Sequence, residues 1–292
     1  MTASTTSSAP VDQAVEPIHV SVASLVCGVL GFALWGIGSL IRAGSLENVR
    51  TAEALEVVGP LLIALAIILY VDHLSNQIGR TAVVLLIIGP IVYGISRVPA
   101  FLEWDTLGWF RYEYASYAAG HLLVGLGLFM VAVHKEMQMK AALDHYATNA
   151  GGPAPAITVH ASFVSLLSAA GGLILVAISE FNDVGPDPVV RSRFDFILRA
   201  VGALLITLGI ISHIDHLTRR IGLAAVTVGI LASLAWFFAY VPRVYNPHYD
   251  FSASWGDVKW VAFGVAYLLA ALAGALVLVR KVQLERTGAA AR

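Results

Sequence analysis

Long apolar runs, separated by short polar clusters, recur along the whole chain. Spanning a hydrocarbon core of about 30 Å takes about 20 apolar residues in a helix. Eight stretches qualify: 19–42, 53–74, 81–99, 115–134, 160–179, 195–217, 222–241 and 257–280. They run without alternation, as from Leu61 to Tyr70, whereas a membrane barrel alternates polar and apolar residues along each strand. In lipid the backbone has to satisfy its own polar groups, so continuous apolar runs read as helices. The pattern predicts an all-α integral membrane protein of about eight transmembrane helices. Residues 1–17 are small and polar and read as a disordered tail.

The pattern also repeats. Residues 57–83 align without gaps on 200–226, with 15 identities in 27 positions. Asp72-His73-Leu74 recurs as Asp215-His216-Leu217, and Ile78-Gly79 as Ile221-Gly222. The match extends outwards. His19-x-Ser21-x-x-Ser24-Leu25 returns as His160-x-Ser162-x-x-Ser165-Leu166, and Val98-Pro99 as Val241-Pro242. The predicted organisation is two tandem four-helix repeats, 18–135 and 159–283. A Gly/Pro/Ala-containing linker, 136–158, joins them, and a tail, 284–292, follows. Four helices is an even number, so the repeats enter the membrane from the same side and are parallel.

Composition agrees with this class: 58% of residues are hydrophobic and only 13% charged, against about 25% charged in soluble domains. The net charge of −1 leaves no basic surface for nucleic acid. The single cysteine, Cys27, excludes an internal disulfide and an iron–sulfur cluster held by this chain alone. Lysine and arginine near the helix ends divide nine to nine between the two faces, so raw count does not orient the chain. Arg219-Arg220 and Arg280-Lys281 directly abut helix ends on the face of the termini. They place both termini in the cytoplasm of a cell-membrane protein. The opposite face carries two aromatic-rich loops, 100–114 and 242–256. These read as an interfacial belt in the lipid bilayer, or as a contact surface for other membrane subunits.

Nine histidines stand out in a chain so poor in charge. His19 with His160, and His73 with His216, occupy matching positions on the face of the termini, beside Asp72 and Asp215. Imidazole and carboxylate are ligands for transition metals, and facing imidazoles hold haem b. These six residues are therefore candidate ligands. The alternative is that they close turns and bond free backbone groups. His213, one turn before His216, matches Tyr70; His121, inside the fourth span, matches Tyr267. All three of His213, Tyr70 and His121 are secondary candidates. Glu56 and Arg199 occupy equivalent positions one turn inside their helices, which predicts a structural ion pair across the two repeats.

No nucleophile elbow, P-loop or dinucleotide fingerprint is present. Three functions follow. A metal- or haem-binding protein, such as a subunit of a membrane redox complex, uses the histidines. An accessory subunit without cofactor uses the aromatic loops. A small-solute transporter requires a polar cavity within the membrane, where the sequence shows few polar groups.

Overall fold

The computed structural model describes residues 18–44, 48–102, 107–148, 152–184, 193–245 and 253–290. The predicted tail 1–17 lies outside them. All the regular structure described is helical: α1 (Val22–Gly44), α2 (Val49–Ile68), α3 (Val71–Ile78), α4 (Arg80–Ile95), α5 (Val98–Phe101), α6 (Leu107–Ala147), α7 (Phe163–Asn182), α8 (Arg193–Ile211), α9 (Ile214–Ile221), α10 (Leu223–Phe238), α11 (Val241–Tyr245) and α12 (Ala253–Ala290). Eight helices are long and apolar enough to cross a membrane, with α4–α5 and α10–α11 each forming one span. Large apolar side chains such as Leu30, Leu65, Leu208, Leu231 and Leu272 point outwards, where lipid meets them.

The long helices form a closed ring. Each packs on its neighbours in the order α1, α2, α4, α6, α7, α8, α10, α12, and α12 returns to α1. The ends of the ring meet on the face of the termini, where Lys281 Nζ donates to the carbonyl of Ile18 at 2.9 Å. Between lipid-exposed helices no hydrophobic force operates, so close packing of small residues has to hold them. Gly31 and Gly59 cross backbone to backbone: a Cβ on either would stand 2.7 Å from the other's carbonyl oxygen. Gly172 and Gly202 make the corresponding crossing of α7 and α8. Gly36 and Gly264 bring α1 against α12, and Gly89 and Gly120 bring α4 against α6. Hydroxyls reinforce the same hairpins. Ser24 Oγ donates to the Ala66 carbonyl at 2.5 Å, and Ser165 Oγ to the Gly209 carbonyl at 2.6 Å.

Short helices turn the chain on the face of the termini. α3 and α9 each carry one apolar stripe, Val71, Leu74 and Ile78 or Ile214, Leu217 and Ile221. Each ends at a glycine in the left-handed region, Gly79 at φ 88° and Gly222 at φ 94°, which other residues adopt at a cost. On the opposite face Pro99 and Pro242 stand in the first turns of α5 and α11, where a missing N–H costs nothing. α6 runs on through Lys135 to Ala147, so the first half of the stretch read as a linker is helical.

The glycine crossings set the geometry of everything above them. Gly172→Leu is expected to destabilise the protein by about 1–3 kcal/mol or more through overpacking. Its neighbour Gly171 meets nothing within 4 Å, so Gly171→Leu leaves stability nearly unchanged. Thermal unfolding of the two variants in mild detergent checks the contrast.

Candidate functional site

A cavity of about 80 Å³ lies on the ring axis, towards the face opposite the termini. All eight spans line it: Trp35 and Ser39 from α1, Glu56 from α2, Tyr93 and Arg97 around the end of α4, and Glu113, Tyr114, Tyr117 and His121 from α6. Glu180 comes from α7, Arg199 from α8, Trp236 and Tyr240 from the end of α10, and Lys259, Trp260, Phe263 and Tyr267 from α12. The volume holds several water molecules.

Its walls are aromatic. Trp35 stacks on Tyr267 with centroids 4.2 Å apart and meets Tyr93 at 4.7 Å. Tyr93 in turn contacts Tyr117 at 4.6 Å and meets the His121 ring edge-on at 5.1 Å. The Trp236 ring lies 5.8 Å from that of His121.

Charges complete the lining. Arg42 reaches Glu56 at 2.9 Å and Glu53 at 3.5 Å. Arg97 Nε reaches Glu56 at 3.0 Å, and its Nη1 bonds Glu113, which also accepts from the Tyr117 hydroxyl at 2.9 Å. Arg199 bonds Asp183 and, through Nε, the Ser179 hydroxyl at 2.9 Å. Deeper, His121 Nδ1 stands 2.8 Å from Glu180 Oε2 across α6 and α7, with side chains only 12% and 8% exposed. Nδ1 is thus taken by the carboxylate. Among the described residues that line the cavity, three carboxylates (Glu56, Glu113, Glu180) stand with three cations (Arg97, Arg199, Lys259).

The expected Glu56–Arg199 pair is not formed. Both side chains line the cavity, but each finds its partner in the adjacent helix of its own hairpin, Arg42 or Asp183. Arg42 stands eleven residues after Gly31, and Asp183 eleven after Gly172. The two hairpins thus carry the same bridge with the signs exchanged. The physical reason is distance: the glycine crossing holds neighbouring helices together, whereas the cavity separates helices across the axis.

The histidine set on the other face also departs from expectation. His19 stacks on His73 with centroids 5.7 Å apart, and His160 on His216 at 5.9 Å. Tyr70 packs on His73 at 4.6 Å, and His213 on His216 at 4.6 Å. These are two clusters of stacked rings, one at α3 and one at α9. Asp72 and Asp215 lie in the first turns of α3 and α9. Among the described residues no group of three or more His, Cys, Asp or Glu could hold a metal ion. The expected gathering of His19, Asp72, His73, His160, Asp215 and His216 about one ion or haem b is corrected accordingly. Of the aromatic loops, residues 103–106 and 246–252 and the side chains of Trp109, Phe110 and Trp255 lie outside the described residues.

Sequence reasoning picked out His121 but missed Glu180, its partner. The signal was available: an ionisable residue near the end of an otherwise apolar span is a functional hypothesis by default. Arg97 and Trp35 carried no signal of their own, because their roles come from the ring closing around them.

Two outcomes follow. Arg199→Ala breaks the buried bridge to Asp183 and the bond to the Ser179 hydroxyl, and is expected to cost about 3–5 kcal/mol. The reversed pair Asp183→Arg with Arg199→Glu reproduces the sign order of the first hairpin and recovers most of that loss in detergent unfolding. Separately, burial, then His216, Lys135 and His160, hold His213 below the ordinary histidine range of 6.5. The unfolded chain therefore binds the proton more readily, and stability drops as pH falls through that range. His213→Tyr, which installs the residue found at the matching Tyr70, flattens this dependence in unfolding curves recorded between about pH 7 and 5. No family model, curated protein or solved structure matches this chain.

Proposed function

We propose that the protein is a small-solute carrier whose binding site is the axial cavity, built from two duplicated, parallel four-helix units of residues 18–135 and 159–283. The cavity carries the reading. All eight spans bring polar or aromatic groups to this one cavity, towards the face opposite the termini. Metal or haem chemistry at the histidines has no such support.

The cavity walls favour duplication. Ser39 and Glu180, Glu56 and Arg199, Tyr93 and Trp236, Arg97 and Tyr240, Glu113 and Lys259, Tyr114 and Trp260, Tyr117 and Phe263, and His121 and Tyr267 are matching positions of the two halves, and all of them line it. Packing supports the register in the last span: His134 packs on Gly79 as Arg280 packs on Gly222. Where the units turn the chain, sequence is retained; where they face the axis, every pair has diverged. With the termini in the cytoplasm, the cavity opens outwards.

The accessory-subunit reading rests on the aromatic loops alone. The carrier reading is tested through Ser39, which lines the cavity from α1. In a Cys27→Ala background, Ser39→Cys is expected to react with a small, charged, membrane-impermeant thiol reagent added outside intact cells. No reaction in the folded protein, with full reaction after denaturation, overturns an open cavity. Reaction only in inside-out vesicles reverses the orientation.

A further inference from the structure

On the face of the termini, α9 ends on arginines where its counterpart does not. Arg219 and Arg220 stand in its last turn, and α3 carries Asn76 and Gln77 at the matching positions. Arg280 of α12 packs on Gly222, where His134 of α6 packs on Gly79. We infer that this turn binds one anionic phospholipid, its phosphate held by Arg219 and Arg280 and an acyl chain lying along α10 and α12. The inference is independent of what the cavity carries.

The guanidinium groups are held in place by backbone. Arg280 Nε donates to the carbonyl of Arg220 at 3.2 Å, and Nη2 to that of Arg219 at 3.0 Å. These carbonyls belong to the last turn of α9, where a helix leaves acceptors unmet. Arg219 is exposed and donates through Nε to the Asp215 carbonyl at 3.3 Å. A guanidinium carries five N–H donors in a planar fork, and phosphate oxygens are its strong, bidentate partners. Like charges held in one turn repel, and an anion beside them relieves the repulsion. The acids nearest in sequence are Asp215, one turn before Arg219, and Glu285, which Lys281 reaches at 2.7 Å.

Depth makes the anion a lipid headgroup. α9 joins two spans, and its stripe of Ile214, Leu217 and Ile221 is apolar, which sets it at the membrane surface. Leu223, the first residue of α10, is 61% exposed, and Val279, next to Arg280, is 53% exposed. The two helices pack on each other, so apolar surface for an acyl chain adjoins the arginines. Arginine at such a boundary keeps its stem on apolar surface and its charge among the headgroups. With the termini in the cytoplasm, this is the leaflet that carries anionic lipid. A choline headgroup brings its own cation towards the arginines and fits less well.

Short-chain phosphatidylglycerol is the probe, added to the full chain in mild detergent against phosphatidylcholine of the same chain length and against inorganic phosphate. Thermal unfolding reads the stabilisation that binding confers, and native mass spectrometry counts the lipid retained. The expected result is a saturable rise in Tm with one phosphatidylglycerol retained, weakening as salt rises, and no comparable rise with phosphatidylcholine. Arg219→Gln is expected to weaken the apparent affinity about fivefold. Arg80, exposed at the start of α4, is the control, because Arg80→Gln removes the same charge beside the matching turn of the first half. It is expected to leave the affinity unchanged. Equal stabilisation by the two lipids, or equal losses in the two variants, overturns the site. Inorganic phosphate that stabilises as strongly as the lipid at equal concentration overturns the lipid as its occupant. The lipid and phosphate comparisons use the unmodified protein, so they decide even where a variant fails to fold.

Discussion

A charge inside a membrane has to be met within the protein, because no water is there to meet it. The architecture turns on this requirement. Glu56 is among the most buried side chains of the chain, yet two arginines reach it. Arg199 is equally enclosed and is held by Asp183 and Ser179. Neither bridge exists unless α1 lies against α2, and α7 against α8, closely enough for side chains to span the gap. The glycine crossings provide that closeness. At Gly31 with Gly59, and at Gly172 with Gly202, no Cβ fits between the backbones. Small residues near the middle of each hairpin thus place the charges near its end.

The closed ring then decides what those charges surround. Eight helices in sequence order enclose an axis, and side chains must fill it. Towards the termini the filling is close: Gly36 lies against Leu268, Gly125 against Ile174, and Gly274 against Val29. Towards the opposite face the helices carry rings and charges that pack less completely, and the cavity remains. Its depth ends at the His121–Glu180 pair, and its upper wall is the lattice of Arg97, Glu113 and Tyr117.

Much of the fold was legible in the sequence because length and hydropathy are local properties. The apolar runs mark the spans to within a few residues, and the Asp-His-Leu and Ile-Gly signatures fall on α3 and α9 and on their terminal glycines. The site was legible only in part. Matching positions singled out Glu56 with Arg199 and, separately, His121 with Tyr267, and all four line the cavity. Matching positions do not reveal neighbours, however. An antiparallel hairpin brings Arg42 to Glu56 sooner than a pseudo-axis brings Arg199 to it. The histidines misled for a related reason. Retained identity at His19, His73, His160 and His216 reflects a ring stacked on a ring at the start of one helix and just past the end of the next.

The chemistry of the cavity follows from where the two hairpins differ. In the first, the buried carboxylate Glu56 takes two arginines; in the second, the matching position is itself an arginine, and Glu180 is left to a histidine. Exchanging the sign at both positions, Arg42 for Asp183 and Glu56 for Arg199, conserves the bridge in each hairpin.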